Sequence, residues 1–280
     1  MKQWSIVVSA LVFCLFTPAT SEAQLLKKLK KKLEKKAEEA VEKQVDDVLG
    51  DGNPGGEDNP AKGGSDDPFR NLPKTVYDFT PGGTIIFQDD FSQDAEGNMA
   101  SKWTSNGTGA VETLPGVPGK WLRVYPENTY KIKDLMPMPE NFTLEFDMLT
   151  RAENYKDLGT PAFGFDYNKG IKGHYYLTNQ KPINADFSYQ FGNLNFTSKE
   201  VGSGRKSSEM DFPMSYFVND VMKVQIEVIG SRMRVFANKY KVLDTEMANP
   251  ESKKYFYFAS DGNEHSRIYI GNFRIAAIKE

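Results

Sequence analysis

The fold is decided by the stretch RIYIGNFRIAAI, residues 267–278, in which apolar and polar side chains alternate over much of its length. A two-residue period is typical of a β-strand with one face against a core and the other in solvent. The stretch KVQIEVI, residues 223–229, has the same period. Both stretches therefore predict half-buried strands of a β-sheet.

Short strand-like segments, separated by Gly, Pro and Asn, recur along residues 75–280. Helical periodicity in this region never exceeds a turn or two, and a chain of roughly two hundred residues suits one all-β domain. We therefore expect an all-β fold, a two-sheet jelly-roll sandwich. Strands are predicted at residues 84–91, 120–125, 129–133, 142–149, 162–167, 173–177, 186–191, 222–229, 232–237, 255–259 and 267–278.

Three segments precede this domain. Residues 1–23 have a basic start, a short apolar stretch and a small-residue end, which predicts a cleaved signal peptide and export to the periplasm, outer membrane or exterior. Residues 24–49 predict a Lys-rich amphipathic helix, and residues 50–74 a flexible Gly/Pro/Asp-rich linker. The helix has three open interpretations: a solvated, partly frayed helix, a coiled-coil seam for self-association through 25–49, or a basic face on an anionic membrane.

Charge and cysteine content exclude several classes of function. The formal net charge is −3 and the globular part has no basic stripe, so nucleic acid is not an expected partner. The single cysteine, Cys14, lies within the apolar stretch of the predicted signal peptide. After cleavage the chain would have no disulfide, no thiol nucleophile and no cysteine-ligated metal.

A family resemblance rests on residues 87–124, FQDDFSQDAEGNMASKWTSNGTGAVETLPGVPGKWLRV. This stretch resembles the opening of the concanavalin A-like domain found in secreted OmpA-family proteins of Bacteroidetes. The Lys-rich segment, the acidic linker and the ending 267–278 resemble the same proteins. Those proteins usually continue into a peptidoglycan-binding OmpA-like domain, whereas this chain ends at Glu280, so that route of wall anchoring is not carried over. The resemblance implies a concanavalin A-like sandwich, export, and recognition of glycan or another envelope component.

Two carboxylates raise the question of glycosidase activity. Glu145 and Asp147 lie two apart in FTLEFDMLT, residues 142–150, and would share one strand face. Laminarinase-type β-glucanases of the same superfamily read E-x-D-x-E or E-x-D-x-x-E, and retaining chemistry needs its two acids about 5.5 Å apart. Here the third position is Leu149 or Thr150, neither of which can protonate a leaving group. A non-catalytic protein is favoured, with a degenerate or unusual glycoside hydrolase as the alternative.

A sugar site needs an exposed aromatic ring beside planar polar side chains. Trp121 alternates with apolar residues and is expected in the core, and Tyr175 and Tyr176 would point to opposite faces. The candidate ligand-binding residues are Trp103, Tyr125, Asp166, Asn168, His174 and Tyr175, together with Glu145 and Asp147.

A structural Ca²⁺ between the terminal strands is a second possibility, with no cofactor otherwise required. Asp89 and Asp90 begin the domain and Asn272 lies on its last strand, so oxygen ligands could converge if those strands pair. The alternative is that Asp89 and Asp90 simply end a strand. Taken together, the sequence predicts an exported, non-catalytic binding module of the cell envelope or exterior, with glycan as the favoured ligand. A purely structural envelope protein is a further alternative.

Overall fold

The computed structural model describes residues 69, 72–134, 137–171 and 181–279. The predicted signal peptide (1–23), the Lys-rich helix (24–49), most of the linker (50–74) and the strand predicted at 173–177 lie outside these residues. Across the described part of the chain, no helix is long and apolar enough to cross a membrane.

The larger of two antiparallel sheets has eight strands among the described residues. We call it the large sheet. Its strands are β1 (Thr84–Asp89), β3 (Gly109–Leu114), β4 (Val117–Val124), β6 (Phe142–Ala152), β11 (Val221–Ile229), β12 (Arg232–Ala237), β13 (Tyr240–Glu246) and β15 (Ser266–Ala277). Their order is β13-β12-β11-β6-β15-β4-β3, and β1 pairs with β15 beyond the end of β4.

The second sheet, called the small sheet, has seven strands in the order β10-β9-β8-β7-β14-β5-β2. Two 3₁₀ turns complete the described elements, the first at Tyr155–Leu158 after β6 and the second at Met214–Phe217 before β11. The strands of the small sheet are β2 (Trp103–Ser105), β5 (Thr129–Ile132), β7 (Ala162–Asp166), β8 (Ile183–Ser188), β9 (Asn193–Ser198), β10 (Lys206–Asp211) and β14 (Tyr255–Ala259).

An aromatic core joins the two sheets. Phe146 on β6 of the large sheet is 1% exposed, and its ring centroid lies 5.2 Å from Phe163 and 5.9 Å from Phe258 on the small sheet. Phe142, also on β6, lies 5.4 Å from Phe165. Edge-to-face pairs at these distances stabilise a core beyond the burial of their area. The predicted all-β, two-sheet sandwich is confirmed.

An extended segment, residues 75–82, crosses the outer face of the large sheet, and we call it the strap. The Tyr77 hydroxyl lies 2.9 Å from Gln225 Oε1, and the Gly82 amide donates to Thr143 Oγ1 at 2.9 Å. These bonds fasten the strap over β11 and β6, where a solvent-facing surface would otherwise be expected.

Strand β15 contains a bulge at the point where it passes from pairing with β4 to pairing with β1. Its register with β6 shifts between Gly271 and Arg274, and Asn272 takes a positive φ of 48°. An asparagine tolerates this conformation better than most residues. The extra residue directs the Asn272 side chain to the outer face, where it meets β6.

Candidate functional site

Glu145 lies on the outer face of the large sheet, because alternate residues of β6 such as Phe146 enter the core. Its Oε1 accepts a hydrogen bond from Arg274 Nη1 at 3.0 Å, and its Oε2 accepts one from Gln225 Nε2 at 3.2 Å. Glu145 therefore joins β6 to the strands on both sides.

Asp147, also on this face, is held in a similar way. Its Oδ2 accepts from Asn272 Nδ2 at 2.7 Å, and its Oδ1 lies 3.3 Å from Lys223 Nζ. The next residue along the face, Leu149, is fully buried beneath Trp121 and Tyr269. The position that would hold the acid/base of a glucanase thus belongs to a small apolar cluster.

Trp121 is buried as the sequence predicted, although its cluster lies on the outer face of the large sheet and not between the sheets. Its ring lies against Gly271, where an added Cβ would come 2.7 Å from a ring carbon. Trp121 Nε1 donates to the Pro118 carbonyl at 3.1 Å. A glycine on β15 therefore makes room for the indole.

The terminal strands β1 and β15 pair, but the structure does not bring the three candidate calcium ligands together. Asp89 accepts from Trp103 Nε1 at 3.0 Å and lies 3.3 Å from Lys102 Nζ, so positively polarised hydrogens occupy both of its oxygens. Asp90 accepts from the Ser92 amide, and Asn272 donates to Asp147 as described above. Such an arrangement does not fit a cation, and the described residues hold no other cluster of three or more His, Cys, Asp or Glu suited to a metal.

Trp103 is 3% exposed and packs at 5.0 Å from Phe273, so its ring offers no open face to a sugar. Trp103 therefore has a structural function, because it fills the core and donates a hydrogen bond to Asp89. Tyr125 is half-buried, and the Arg123 guanidinium carbon lies 4.4 Å from the centre of its ring. His174 and Tyr175 lie outside the described residues, and Tyr176 with them.

Asp166 is buried on the outer face of the small sheet, between two lysines. Its Oδ2 accepts from Lys131 Nζ at 2.8 Å and from Lys181 Nζ. Lys131 also donates to the carbonyl oxygens of Asn168 and Gly170 at 2.6 and 2.8 Å. Burial works to raise the pKa of Asp166, but the hydrogen bonds and charges of the two lysines outweigh it and hold that pKa below its usual value. These contacts fix the chain that leaves β7, so Asp166 and Asn168 are brought together, but as parts of a packed cluster.

A cleft of about 540 Å³ opens at one end of the sandwich, away from these candidates. Four segments form it: residues 72–73, the first 3₁₀ turn, the turn between β8 and β9, and the chain from the end of β10 into the second 3₁₀ turn. Its described lining consists of Leu72, Pro73, Tyr155, Tyr189, Gln190, Phe191, Gly192, Met210, Asp211, Phe212, Pro213, Met214 and Ser215.

The cleft has an apolar floor and aromatic residues at its mouth. Tyr189, Phe212 and Met214 are at most 1% exposed and form the floor. Burial raises the pKa of the Tyr189 phenol above its ordinary value. Phe191 and Tyr155 at the mouth are 73% and 38% exposed. Exposed rings over a closed floor give the cleft the form of a ligand site.

A tight turn holds Phe191 outward. The Phe191 amide donates to Ser188 Oγ at 3.2 Å, the Gly192 amide donates to the Ser188 carbonyl at 3.0 Å, and Gly192 has a φ of +67°. A side chain at position 192 would be strained in this conformation. Tyr155 is the first residue of the first 3₁₀ turn. Asn154 caps this turn, because its Oδ1 accepts a hydrogen bond from the Lys156 amide at 3.1 Å.

Polar groups flank the two rings. Gln190 precedes Phe191 and is exposed, as are Asp211 and Ser215 on the opposite wall. Among the described lining residues, Asp211 carries the only formal charge. Amide, carboxylate and hydroxyl groups of this kind can hydrogen-bond the hydroxyls of a sugar whose face lies on an aromatic ring.

Sequence reasoning missed this cleft because it placed Phe191 at the end of a strand covering 186–191, where β8 ends instead at Ser188. The signal available was the sequence YQFGN, residues 189–193, in which a polar residue and a glycine flank an exposed aromatic. Such a pattern is typical of a turn.

Comparisons with solved structures find domains that resemble this fold. The carbohydrate recognition domain of Emp47p has a TM-score of 0.51 at 10% identity, over 69% of this chain and 95% of that one. The metal-free exoplasmic/lumenal domain of VIP36 has a TM-score of 0.50 at 9% identity, over 68% and 91%. The carbohydrate-binding module CBM66 from Bacillus subtilis covers 63% of this chain and 96% of that one, with a TM-score of 0.44 and 20% identity.

At these identities the likeness shows the fold alone. It confirms the predicted jelly-roll class of sandwich. No family model and no curated protein gives a significant match to this chain. The resemblance to OmpA-family proteins therefore stays a prediction.

Proposed function

We propose that this protein is an exported, non-catalytic binding module of the cell envelope or exterior, and that the cleft at the end of the sandwich recognises glycan. One observation is central: Phe191, 73% exposed, stands at the mouth of a cleft beside Gln190 and Asp211. An exposed aromatic ring at the mouth of a cleft can stack on the face of a sugar, and the polar side chains beside it can bind the sugar's hydroxyls.

The surroundings of Glu145 and Asp147 support a non-catalytic function. Each carboxylate accepts hydrogen bonds that join neighbouring strands, and the third position of the glucanase pattern is the buried Leu149. Export and kinship with the OmpA-family proteins of Bacteroidetes rest on residues 1–23 and 87–124. The fold shared with a domain named for carbohydrate recognition is compatible with the same function.

The experiment is a glycan-array screen of the full chain, followed by calorimetric titration of the best oligosaccharide with the Phe191→Ala variant. Central aromatic residues of binding sites commonly contribute more than about 2 kcal/mol, so we expect affinity to fall at least tenfold. Because Phe191 is exposed, the melting temperature should stay close to that of the parent protein.

The matched control is Tyr167→Ala, which removes an aromatic ring that is 46% exposed and does not line the cleft. Its affinity for the oligosaccharide should stay within twofold of the parent value. Equal binding by the parent protein and Phe191→Ala would place the ligand elsewhere. A protein that binds no glycan on the array would favour a purely structural envelope function.

A further inference from the structure

Two arginines stand directly opposite one another on the outer face of the large sheet. Arg267 on β15 is the register partner of Arg151 on β6. Facing residues in an antiparallel pair have Cβ atoms roughly 5 Å apart, and like charges in such a pair repel. This arrangement is unfavourable for folding, so folding stability does not account for it.

A third arginine belongs to the same surface. Arg123 on β4 is the register partner of Tyr269, which lies two residues after Arg267 on β15. Its guanidinium lies over the ring of Tyr125, 4.4 Å from the ring centre to the guanidinium carbon. Stacking of this kind keeps the planar group in a fixed orientation. We call Arg123, Arg151 and Arg267 the arginine surface.

Negative charge within the described structure neutralises this surface only in part. Neither Arg151 nor Arg267 forms an ion pair with a described carboxylate. Arg151 Nη1 donates to the neighbouring Thr150 carbonyl at 3.1 Å, and the Asp220 carboxylate acts on Arg151 only through longer-range electrostatics. Glu112 is 3.4 Å from Arg123, and it also accepts from the Tyr269 hydroxyl at 3.0 Å. Burial lowers the pKa of Arg151, an electrostatic cost that a bound anion would offset.

We propose that the arginine surface binds the carboxylate or sulfate groups of an acidic polysaccharide. Guanidinium groups bind planar oxyanions through paired hydrogen bonds, which makes arginine the suited residue. The three arginines occupy three adjacent strands, which lie roughly 4.8 Å apart, so successive anionic groups of one polymer can meet successive arginines.

A polysaccharide fits this surface better than a lipid bilayer does. Attachment to a bilayer interface usually inserts exposed Trp, Phe or Leu side chains. Here the neighbouring apolar residues Trp121, Leu149 and Tyr269 are at most 3% exposed and are packed on one another. The arginine surface lies on a sheet face and shares no residue with the cleft, so this proposal does not depend on glycan binding in the cleft.

The test uses the ¹⁵N-labelled full chain titrated with an oligogalacturonate, a heparin-derived sulfated oligosaccharide and a neutral dextran oligosaccharide. We expect the Nε–Hε resonances of the arginine surface to shift with one or both acidic probes and not with dextran. Binding of the oligogalacturonate would show that carboxylates suffice, whereas a response to the heparin-derived probe alone would show that sulfate is needed. Shifts produced by anionic phospholipid vesicles but by neither acidic oligosaccharide would overturn the proposal in favour of a membrane.

Calorimetry with the Arg267→Gln variant completes the test. Affinity for the acidic probe should fall about tenfold, while the melting temperature should rise or stay unchanged because a like-charge contact is removed. In Arg232→Gln, which removes an exposed arginine paired with Asp244 on the same sheet, affinity should stay within twofold. All variants keep the Lys-rich segment 24–49, so any binding of the acidic probe by its lysines is the same in each of them. Equal affinity in the parent protein and Arg267→Gln, or a lower melting temperature without loss of affinity, would overturn the proposal.

Discussion

Replacing Asp166 with asparagine tests the buried charge cluster on the small sheet. Asp166 is 5% exposed and accepts hydrogen bonds from Lys131 and Lys181. Removing one partner of a buried ion pair costs about 3–5 kcal/mol because the other charge is left without its counter-ion. For a domain of this size each kcal/mol changes the melting temperature by roughly 2–4 °C. We expect Asp166→Asn to melt roughly 6–20 °C lower at pH 7.

The same substitution should have a defined pH dependence. The two lysines hold the pKa of Asp166 below its usual value despite burial. A carboxyl with a lowered pKa stabilises the fold above its unfolded value, about pH 3.9, and this contribution is lost as the pH falls through the folded pKa. The difference in stability between the parent protein and Asp166→Asn should therefore be complete at pH 7 and shrink below about pH 4.

Thermal and urea unfolding of the full chain, followed by circular dichroism at pH 7 and pH 3, measures both effects. Asp244→Asn is the control, because Asp244 pairs with the exposed Arg232 and such pairs contribute about 0–1 kcal/mol. A loss below about 1 kcal/mol for Asp166→Asn, or an equal difference at both pH values, would refute the reasoning.

Two further predictions follow from the outer face of the large sheet and from the N-terminal segment. Glu145→Gln weakens the contact with Arg274, so the free energy of unfolding should fall by about 1–3 kcal/mol, measured by urea titration. Reducing-end release from laminarin and lichenan should stay at background before and after this change, and release that Glu145→Gln abolishes would contradict a non-catalytic function. The full chain should co-sediment with anionic vesicles and lose this binding in high salt or without residues 25–49, since each lysine near such a surface contributes about 1 kcal/mol. Salt-insensitive association, accompanied by a dimer that requires 25–49, would instead favour self-association.

The central strands of both sheets were predictable because their alternation reflects burial. Strands β11, β12 and β14 match the predicted segments to within one residue. The strands missed were β2, β3, β9, β10 and β13. Four of these five are the end strands in the hydrogen-bonded order of the two sheets. Edge strands bury fewer side chains and carry more polar residues, as in KSSEMD of β10, so their hydrophobic signal is weak.

The site was less predictable than the fold for a different reason. Trp103 and Asp166 have the residue types of a sugar site, but their partners Asp89, Lys131 and Lys181 are distant in sequence and convert them into buried, satisfied groups. The exposure of Phe191 depends on where β8 ends, a boundary that alternation alone does not define. Residue type was therefore readable from the sequence, whereas solvent access depended on tertiary contacts.

The end of strand β6 contributes to the arginine surface and is tied to an element beside the cleft. Arg151 lies four residues before Tyr155, and Thr150 Oγ1 donates to the Phe217 carbonyl at 3.0 Å, which ties β6 to the second 3₁₀ turn beside the cleft. Nearer the start of the same strand, Glu145 accepts a hydrogen bond from Arg274, and Thr143 accepts one from the strap. Hydrogen bonds and ion pairs thus engage the polar groups of one half of this face. On the other half, Arg151 and Arg267 form no ion pair with a described carboxylate, and Arg123 shares Glu112 with the Tyr269 hydroxyl. Because the arginine surface lies on packed strands and Thr150 holds the turn beside the cleft, a ligand would meet side chains that need little reorganisation, which favours affinity.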